Sequence, residues 1–263
     1  MTTEDFIIEL FCWIDDHMPP IAKHSQAKLY PSEVVTIGVL FALKGGYFRA
    51  FYRWLARDYA ALFGGLPERT RLQRQLATHQ RWCTHFLAAP TFFTVIDSYG
   101  IELIHPIRQG RSARQMGKKG KSNWRWIIGL KLCWLINDAG QVVSWAWDTA
   151  NVHDQVFLPL VKALEEQSIV LADTGFNDAD GIPANLKLCP RGTWNERMLV
   201  ETALSLVTTV CHLKKVFHRT RHHFQARLAY VAAMFNILLG LNRHLQPDAP
   251  PQDRLLHLAP FAL

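Results

Sequence analysis

The sequence is short of several features that would place it at once. Its 263 residues include five cysteines, and Cys12, Cys83, Cys133, Cys189 and Cys211 are widely spaced with no Cys-x-x-Cys pair. An odd, scattered set excludes a disulfide framework or a zinc ribbon and leaves reduced, packed thiols. No apolar run reaches the roughly 18 to 20 residues that span a bilayer. Val34–Leu43 is too short, Lys131 interrupts 127–136 and Asn236 interrupts 228–241. The first residues carry Glu4, Asp5 and Glu9 before Asp15 and Asp16, without the basic start of a secretory signal. A soluble, cytoplasmic protein with no membrane partner is therefore expected. Neither a Gly-x-Ser-x-Gly elbow nor a phosphate-cradling glycine loop is present, so serine-nucleophile chemistry and ATP dependence are not expected. Acid is the minority charge, with 22 Asp and Glu against 29 Lys and Arg, a net charge of +7. With 49% hydrophobic residues, the chain can bury a sizeable core, and disorder as its main state is excluded.

What is present divides near residue 90. Residues 6–87 read as helices, apolar at three- and four-residue intervals, with no strand. One run, Val34–Leu43, opens at Pro31-Ser32 with Ser32 as N-cap and closes at Gly45-Gly46. A second, 47–63, closes at Gly64-Gly65, and a third restarts at Pro67 with Arg69, Arg71, Arg74 and Arg81 on its polar face. Short helices joined by glycine turns fit a helix-turn-helix module; three-helix packing without a DNA role fits as well. After Pro90 the pattern becomes β-branched and aromatic. Residues 91–96 predict a buried strand ending at Asp97-Ser98. A basic stretch follows, Arg108, Arg111 and Arg114 and then Lys118, Lys119, Lys121 and Arg125, without an acid among them. It reads as a loop that an anion would order. Residues 126–136 and 142–147 predict a hairpin about Asn137–Gly140. Residues 155–167 predict a helix, 168–172 a strand ending at Asp173, 186–189 a short strand, and 195–215 and 222–245 two further helices. The expectation is an all-helical domain over 1–89 and a mixed α/β domain over 90–263, its sheet flanked by helices.

Two acids stand after separate apolar strands, Asp97 in Val-Ile-Asp-Ser and Asp173 in Val-Leu-Ala-Asp-Thr-Gly-Phe. An acid at such a place is either the N-cap of the next element or a side chain delivered into a crevice. A third acid, Glu201, lies on a helical segment with apolar neighbours, where an unpaired carboxylate is costly to bury. Three carboxylates without a cysteine form an oxygen-rich set that favours Mg²⁺ or Mn²⁺ over zinc. Two such ions suit in-line phosphoryl displacement. The basic stretch lies between the first and second acids, and Lys214, Lys215, Arg219 and Arg221 follow the third, a placement that favours a phosphate backbone over a merely solvated surface. His218 and His222 are four apart, but no glutamate stands beside the first histidine in the His-Glu-x-x-His form. A basic DNA-facing surface is the better reading for them.

In this order the residues resemble the DDE transposases of bacterial insertion sequences, whose catalytic domain has the ribonuclease-H-like fold. The pieces are Val95-Ile-Asp97-Ser, Trp126-Ile-Ile-Gly-Leu-Lys131, Asn151-Val-His153-Asp154, Leu171-Ala-Asp173-Thr-Gly-Phe176 and Arg197-x-x-x-Glu201. Tyr30-Pro-Ser-Glu33-Val-Val and Leu66-Pro-Glu-Arg69 are similar to the helical region that precedes that domain. Two departures stand out. Many relatives carry Tyr-(2)-Arg-(3)-Glu-(6)-Lys, whereas Trp194 occupies the Tyr place here and Thr208 the Lys place. The interval from Asp173 to Glu201 is short for families that insert a domain there.

The resemblance implies an insertion-sequence transposase that cleaves DNA at its element's ends and transfers the strand to target DNA. Asp97, Asp173 and Glu201 would hold two Mg²⁺ or Mn²⁺ ions, and Arg197 a phosphate near the scissile bond. Trp194 would stack on a displaced base or pack. Lys118, Lys119, Lys121, Arg125, Lys214, Lys215, Arg219 and Arg221 would meet double-stranded DNA. Lys131 either snorkels or pairs with an acid, and Asp154 either lies beside the site or caps a helix. The resemblance also implies a homodimer on DNA, associated with the nucleoid, and possible DNA-end binding by residues 1–89. The alternatives are a nuclease or resolvase of the same fold, or an inactive DNA-binding derivative.

Overall fold

Helices from the earlier and later parts of the sequence pack together, and the intervening sequence forms the sheet. The computed structural model describes all residues except 114, 123–124, 180, 191–196, 217–219, 247, 249–260 and 262. It divides into a helical unit, Met1–Phe86 with Val210–His212 and Thr220–Leu263, and a sheet unit, Leu87–Thr209 with Leu213–Arg219.

The helical unit contains α1 (Thr3–His17), α2 (Pro31–Lys44), α3 (Phe48–Asp58), α4 (Arg69–His79) and α7 (Arg221–Leu245). A reciprocal box caps α1: the Thr2 hydroxyl accepts from the Asp5 amide, and the Asp5 carboxylate accepts from the Thr2 amide. α2 begins two residues earlier than expected, with Tyr30 and not Ser32 in the N-cap place. Pro31 takes the first helical position, where its missing N–H costs nothing, and the Glu33 carboxylate accepts from the Tyr30 amide at 2.6 Å. Ser32 is thus a buried first-turn residue and not the cap. Gly45 and Gly46, both near φ +70°, turn the chain by 119° into α3. The second apolar run is shorter than the expected 47–63, because α3 ends at Asp58 and a 3₁₀ turn follows over Ala60–Leu62.

α7 is long and apolar enough by composition to cross a membrane. Here 89% of its most apolar stretch is buried within the protein. At Gly38 of α2 an added Cβ would sit 2.2 Å from the Tyr230 ring, so only glycine lets α7 approach this closely. The Tyr230 hydroxyl donates to the Leu76 carbonyl of α4 at 3.0 Å, and Asn236 Nδ2 donates to the Phe86 carbonyl at 2.8 Å. This revises the expected division: the helix over 222–245 belongs with the helical unit and not with a domain over 90–263. A helix apolar on all sides needs neighbours around its whole circumference, and α1, α2 and α4 contact it.

The sheet unit holds β1 (Phe93–Ile104), β2 (Lys118–Ser122), β3 (Arg125–Asn137), β4 (Val142–Thr149), β5 (Ile169–Ala172) and β6 (Leu186–Leu188), with α5 (Leu158–Lys162) and α6 (Arg197–Val210). The order is β2-β3-β1-β5-β6, with β4 also on β3. β1, β3 and β4 pair antiparallel, and β1, β5 and β6 parallel. This is a six-stranded mixed sheet flanked by helices, consistent with the ribonuclease-H-like fold. Ile96, Cys133, Leu135, Val170 and Ala172 form a core with Phe157 and Val161.

Three expectations change. β1 does not stop at Asp97; it continues to Ile104 because β3 pairs with it throughout, Asp97 lying opposite Trp134. The basic stretch is not all loop, since β2 forms within it and pairs with 125–129. An added Cβ on Gly120 would meet the Ala150 carbonyl oxygen at 1.9 Å, so this close backbone approach depends on glycine. The helix over 155–167 shortens to a 3₁₀ turn, Asp154–Phe157, followed by α5.

Candidate active site

The parallel pairing of β1 with β5 runs from Phe93 opposite Ile169 to Val95 opposite Leu171, and then the two strands part. β5 ends at Ala172, while β1 goes on with β3 along its other edge. Asp97 and Asp173 each come two positions after the last of these pairs, Asp97 still within β1 and Asp173 just beyond the end of β5. β1 meets its next neighbour on the open edge at Glu102, whose amide donates to the Lys214 carbonyl at 3.0 Å. A sheet that opens in this way beyond the carboxyl end of a parallel strand forms a crevice for side chains.

A cavity of about 540 Å³ fills the crevice, and its lining includes Asp97, Asp154, Asp173, Glu201, Lys121 and Lys131. The three acids singled out from the sequence therefore share one cavity. Asp173 fulfils both of its readings, because Oδ1 accepts from the Gly175 amide at 2.9 Å, capping the turn Thr174–Phe176, while the residue lines the cavity. Asp97 Oδ1 accepts from the Ser98 amide at 2.7 Å. Lys131 takes the paired alternative: its Nζ lies 3.1 Å from Asp154 Oδ1 and donates to the Val152 carbonyl at 2.9 Å. Asp154 is the acid the sequence left undecided, and it lines the cavity with the others. At Gly175 an added Cβ would stand 3.0 Å from Asp173 Oδ1 and 3.2 Å from Asp154 Oδ2. The glycine thus leaves open a small space flanked by two carboxylates. Burial, reinforced by the negative charges of Asp97 and Asp154, pushes the Cys133 thiol well above its ordinary pKa, so it is no nucleophile.

Glu201 reaches the cavity from the exposed side of α6, whose buried side is Val200, Ala203, Leu204 and Val207. The argument from the cost of burying this carboxylate therefore does not apply; cavity lining singles it out instead. Arg197 lies four residues earlier on α6, but its side chain falls outside the described residues, as do Trp194 and Arg219. The Thr208 hydroxyl, in the expected lysine place, donates to the Leu204 carbonyl of its own helix at 2.8 Å. Among the described residues, no three His, Cys, Asp or Glu side chains are grouped closely enough to hold an ion between them.

The basic residues separate into kinds. Lys118, Lys119 and Lys121 are exposed on β2; Lys119 Nζ stands 5.2 Å from the centre of the Trp126 ring, and Lys121 lines the cavity. Arg125 and Lys215 each pair at 3.2 Å with the buried carboxylate of Glu102, which sequence reasoning did not single out. These two cations tie β3 and the segment after α6 to β1. Lys214 is exposed, and Arg221 opens α7 in the helical unit.

Residues 87–180 match the family model for the transposase DDE domain. The match starts where the sheet unit starts, includes Asp97 and Asp173, and ends before Glu201. No curated protein matches the chain. The family match supports a DDE transposase: a transposase-type function with DNA as substrate and metal-dependent chemistry.

Proposed function

We propose that the protein is an insertion-sequence transposase that cleaves DNA at the ends of its element and joins the freed strand to target DNA. The observation that carries this reading is the shared cavity lined by Asp97 of β1, Asp173 just beyond the end of β5 and Glu201 of α6. An all-oxygen set suits hard divalent ions, Mg²⁺ or Mn²⁺, and two ions are proposed. The three acids line one cavity without meeting at a point, which accords with the habit of Mg²⁺ to take one or two carboxylates and to complete its shell with substrate phosphate and water. The open space over Gly175, between oxygens of Asp173 and Asp154, supports that fit.

When bound, such ions polarise the phosphoryl group and lower the pKa of the attacking oxygen. Asp97, Asp173 and Glu201 hold that charge in place. Lys131 neutralises Asp154 and fixes its Oδ1, leaving Oδ2 toward Asp173. Lys121 and Arg197 hold the DNA backbone. In the first step a water oxygen bonds to phosphorus and the bond to the 3′-oxygen breaks; water gives up a proton and the leaving oxygen gains one. In the second, the freed 3′-hydroxyl attacks a target phosphodiester by the same exchange, so no covalent enzyme intermediate is needed. Cutting two ends in step calls for a homodimer on DNA, working where the chromosome lies.

Duplexes carrying the element's own ends, incubated with the protein and Mn²⁺ or Mg²⁺, should yield joined products. Cleavage without joining would identify a nuclease. Binding with no cleavage, unchanged by Asp97→Ala, would overturn the catalytic reading. A second variant addresses the metal directly. Gly175→Val fills the space between Asp173 and Asp154 and should weaken Mn²⁺ binding about tenfold or more, measured by calorimetric titration, with the thermal melt unchanged. Unaltered Mn²⁺ affinity would remove these two acids from the ion site.

A further inference from the structure

The first residues of β3 carry a side chain that packing inside the sheet unit does not use. From Ile127 to Asn137 every residue of β3 except Lys131 is buried, yet Trp126 is 58% exposed. An exposed apolar residue by itself needs no explanation; what sets Trp126 apart is its surroundings. It pairs with Lys121 across the β2–β3 ladder, and residues directly opposite in an antiparallel pair point to the same face. Lys119, two residues from Lys121 along β2, shares that face, and its Nζ stands 5.2 Å from the centre of the Trp126 ring. Lys121 and Ile127, the residue after Trp126, both line the cavity that Asp97, Asp173 and Glu201 line.

Neither β2 nor the segment of β3 paired with it, Arg125–Gly129, contains an acid. An exposed indole therefore stands between two exposed lysines at the edge of the cavity, mounted on paired strands and not on a loop. Two ammonium groups beside a flat ring select a ligand in which a phosphate adjoins an aromatic ring, which is a nucleotide. With Lys119 on one side of the indole, the exposed remainder of the ring is left to a base. Directly opposed strand residues stand about 5 Å apart at Cα, comparable to the span between a base and its own phosphate, so one nucleotide can meet Trp126 and Lys121 together.

Inside a duplex a base shows neither face, since each is stacked on a neighbour. A face is presented only where stacking stops, as it does at a strand end. The reaction proposed above makes such an end at this cavity, the 3′-terminal nucleotide of the freed strand. We infer that Trp126 stacks on the terminal base of that strand, with Lys119 and Lys121 on the adjoining phosphates, and so keeps the 3′-hydroxyl at the cavity between cleavage and joining. Because every base has a flat face, the contact carries little sequence preference. The inference rests on the proposed reaction for its substrate and on the shared face of β2 and β3 for its geometry.

The test uses the full chain without divalent metal and duplexes of the element's end already cut at the cleavage position. One carries a fluorescent aminopurine as its 3′-terminal base and another carries the same probe in the middle of the duplex. The emission of this base falls when it stacks on an indole, so binding should quench the terminal probe and leave the internal one unchanged. Trp126→Ala should abolish the quenching and weaken binding of the cut duplex about tenfold, with affinity for an uncut duplex of the same sequence held within about twofold. Trp126→Phe, which keeps a ring, should keep most of the affinity for the cut duplex, and thermal melts of both variants separate stacking from folding. Quenching that survives Trp126→Ala overturns the inference, as does a bound wild-type complex with no quenching or with equal affinity for cut and uncut duplexes. Absence of joined products in Mn²⁺, with the quenching intact, counts against the proposed reaction and not against this contact.

Discussion

Asp97→Asn should lower strand cleavage about a thousandfold while the protein continues to fold and to bind duplex DNA. The size follows from the chemistry: charge stabilisation by bound divalent ions is worth several kcal/mol, and each 1.4 kcal/mol or so is a factor of ten. Asparagine keeps the shape of the side chain and an oxygen that accepts from the Ser98 amide, so the local hydrogen bond survives. What it removes is one negative charge from the cavity. Asp173→Asn should behave alike, because asparagine caps the turn over Thr174–Phe176 about as well as aspartate does. Single-turnover cleavage of pre-bound end duplexes, with thermal melts alongside, is the measurement. A loss below tenfold for Asp97→Asn with an unchanged melt would remove that residue from the reaction.

The second large effect lies in the helical unit and concerns stability alone. Arg227 is 3% exposed, and its guanidinium donates to the carbonyls of Phe41, of Ala42 at 3.0 Å and of Cys211 at 3.4 Å. Phe41 and Ala42 lie in the last turn of α2, where a positive charge is favoured; the Phe41 carbonyl also accepts from the Gly45 amide at 3.2 Å. The guanidinium also sits 4.3 Å from the centre of the Phe41 ring. Burial pushes its pKa down to about 10, which still leaves it charged at neutral pH. Arg227→Leu removes the guanidinium's bonds to the Ala42 and Cys211 carbonyls in an apolar setting, and one of the two bonds to the Phe41 carbonyl, at a cost of about 3 kcal/mol. The melting temperature of the helical unit should fall by about 6 to 12 °C. Arg227→Lys should recover part of the loss, since one ammonium cannot reproduce the guanidinium fork. A shift under 2 °C for the leucine variant would show that water or another donor takes over.

Much of the candidate cavity was legible because a buried strand followed by an acid is a local pattern. Val-Ile-Asp97 and Leu-Ala-Asp173 each announce themselves within a few residues. Their partnership was not local, since it depends on the parallel register of β1 and β5 and on where that register stops. The end of β1 was misjudged because Asp97, Ser98 and Gly100 interrupt the apolar pattern, although Ile101 and Leu103 resume the alternation. β2, with the sequence Lys-Lys-Gly-Lys-Ser, has no apolar alternation at all and is held by its backbone ladder to β3. Arg125 and Lys215 read as DNA contacts because the buried glutamate that engages them is remote in sequence. The same limit applies to α7, since an all-round apolar helix reveals that it is buried and not against what.

Because α7 is supplied by the far end of the sequence, the helical unit has an order of assembly built into it. On the ribosome, α1 to α4 emerge first, and the face of α2 that α7 covers stays open while the whole sheet unit is translated. The sheet, whose strands are contiguous in the chain apart from its short return near Lys215, can close beforehand. A message cut short before Arg221 therefore yields no free-standing helical unit, only a chain with exposed apolar surface, the kind of product that chaperones and proteases clear.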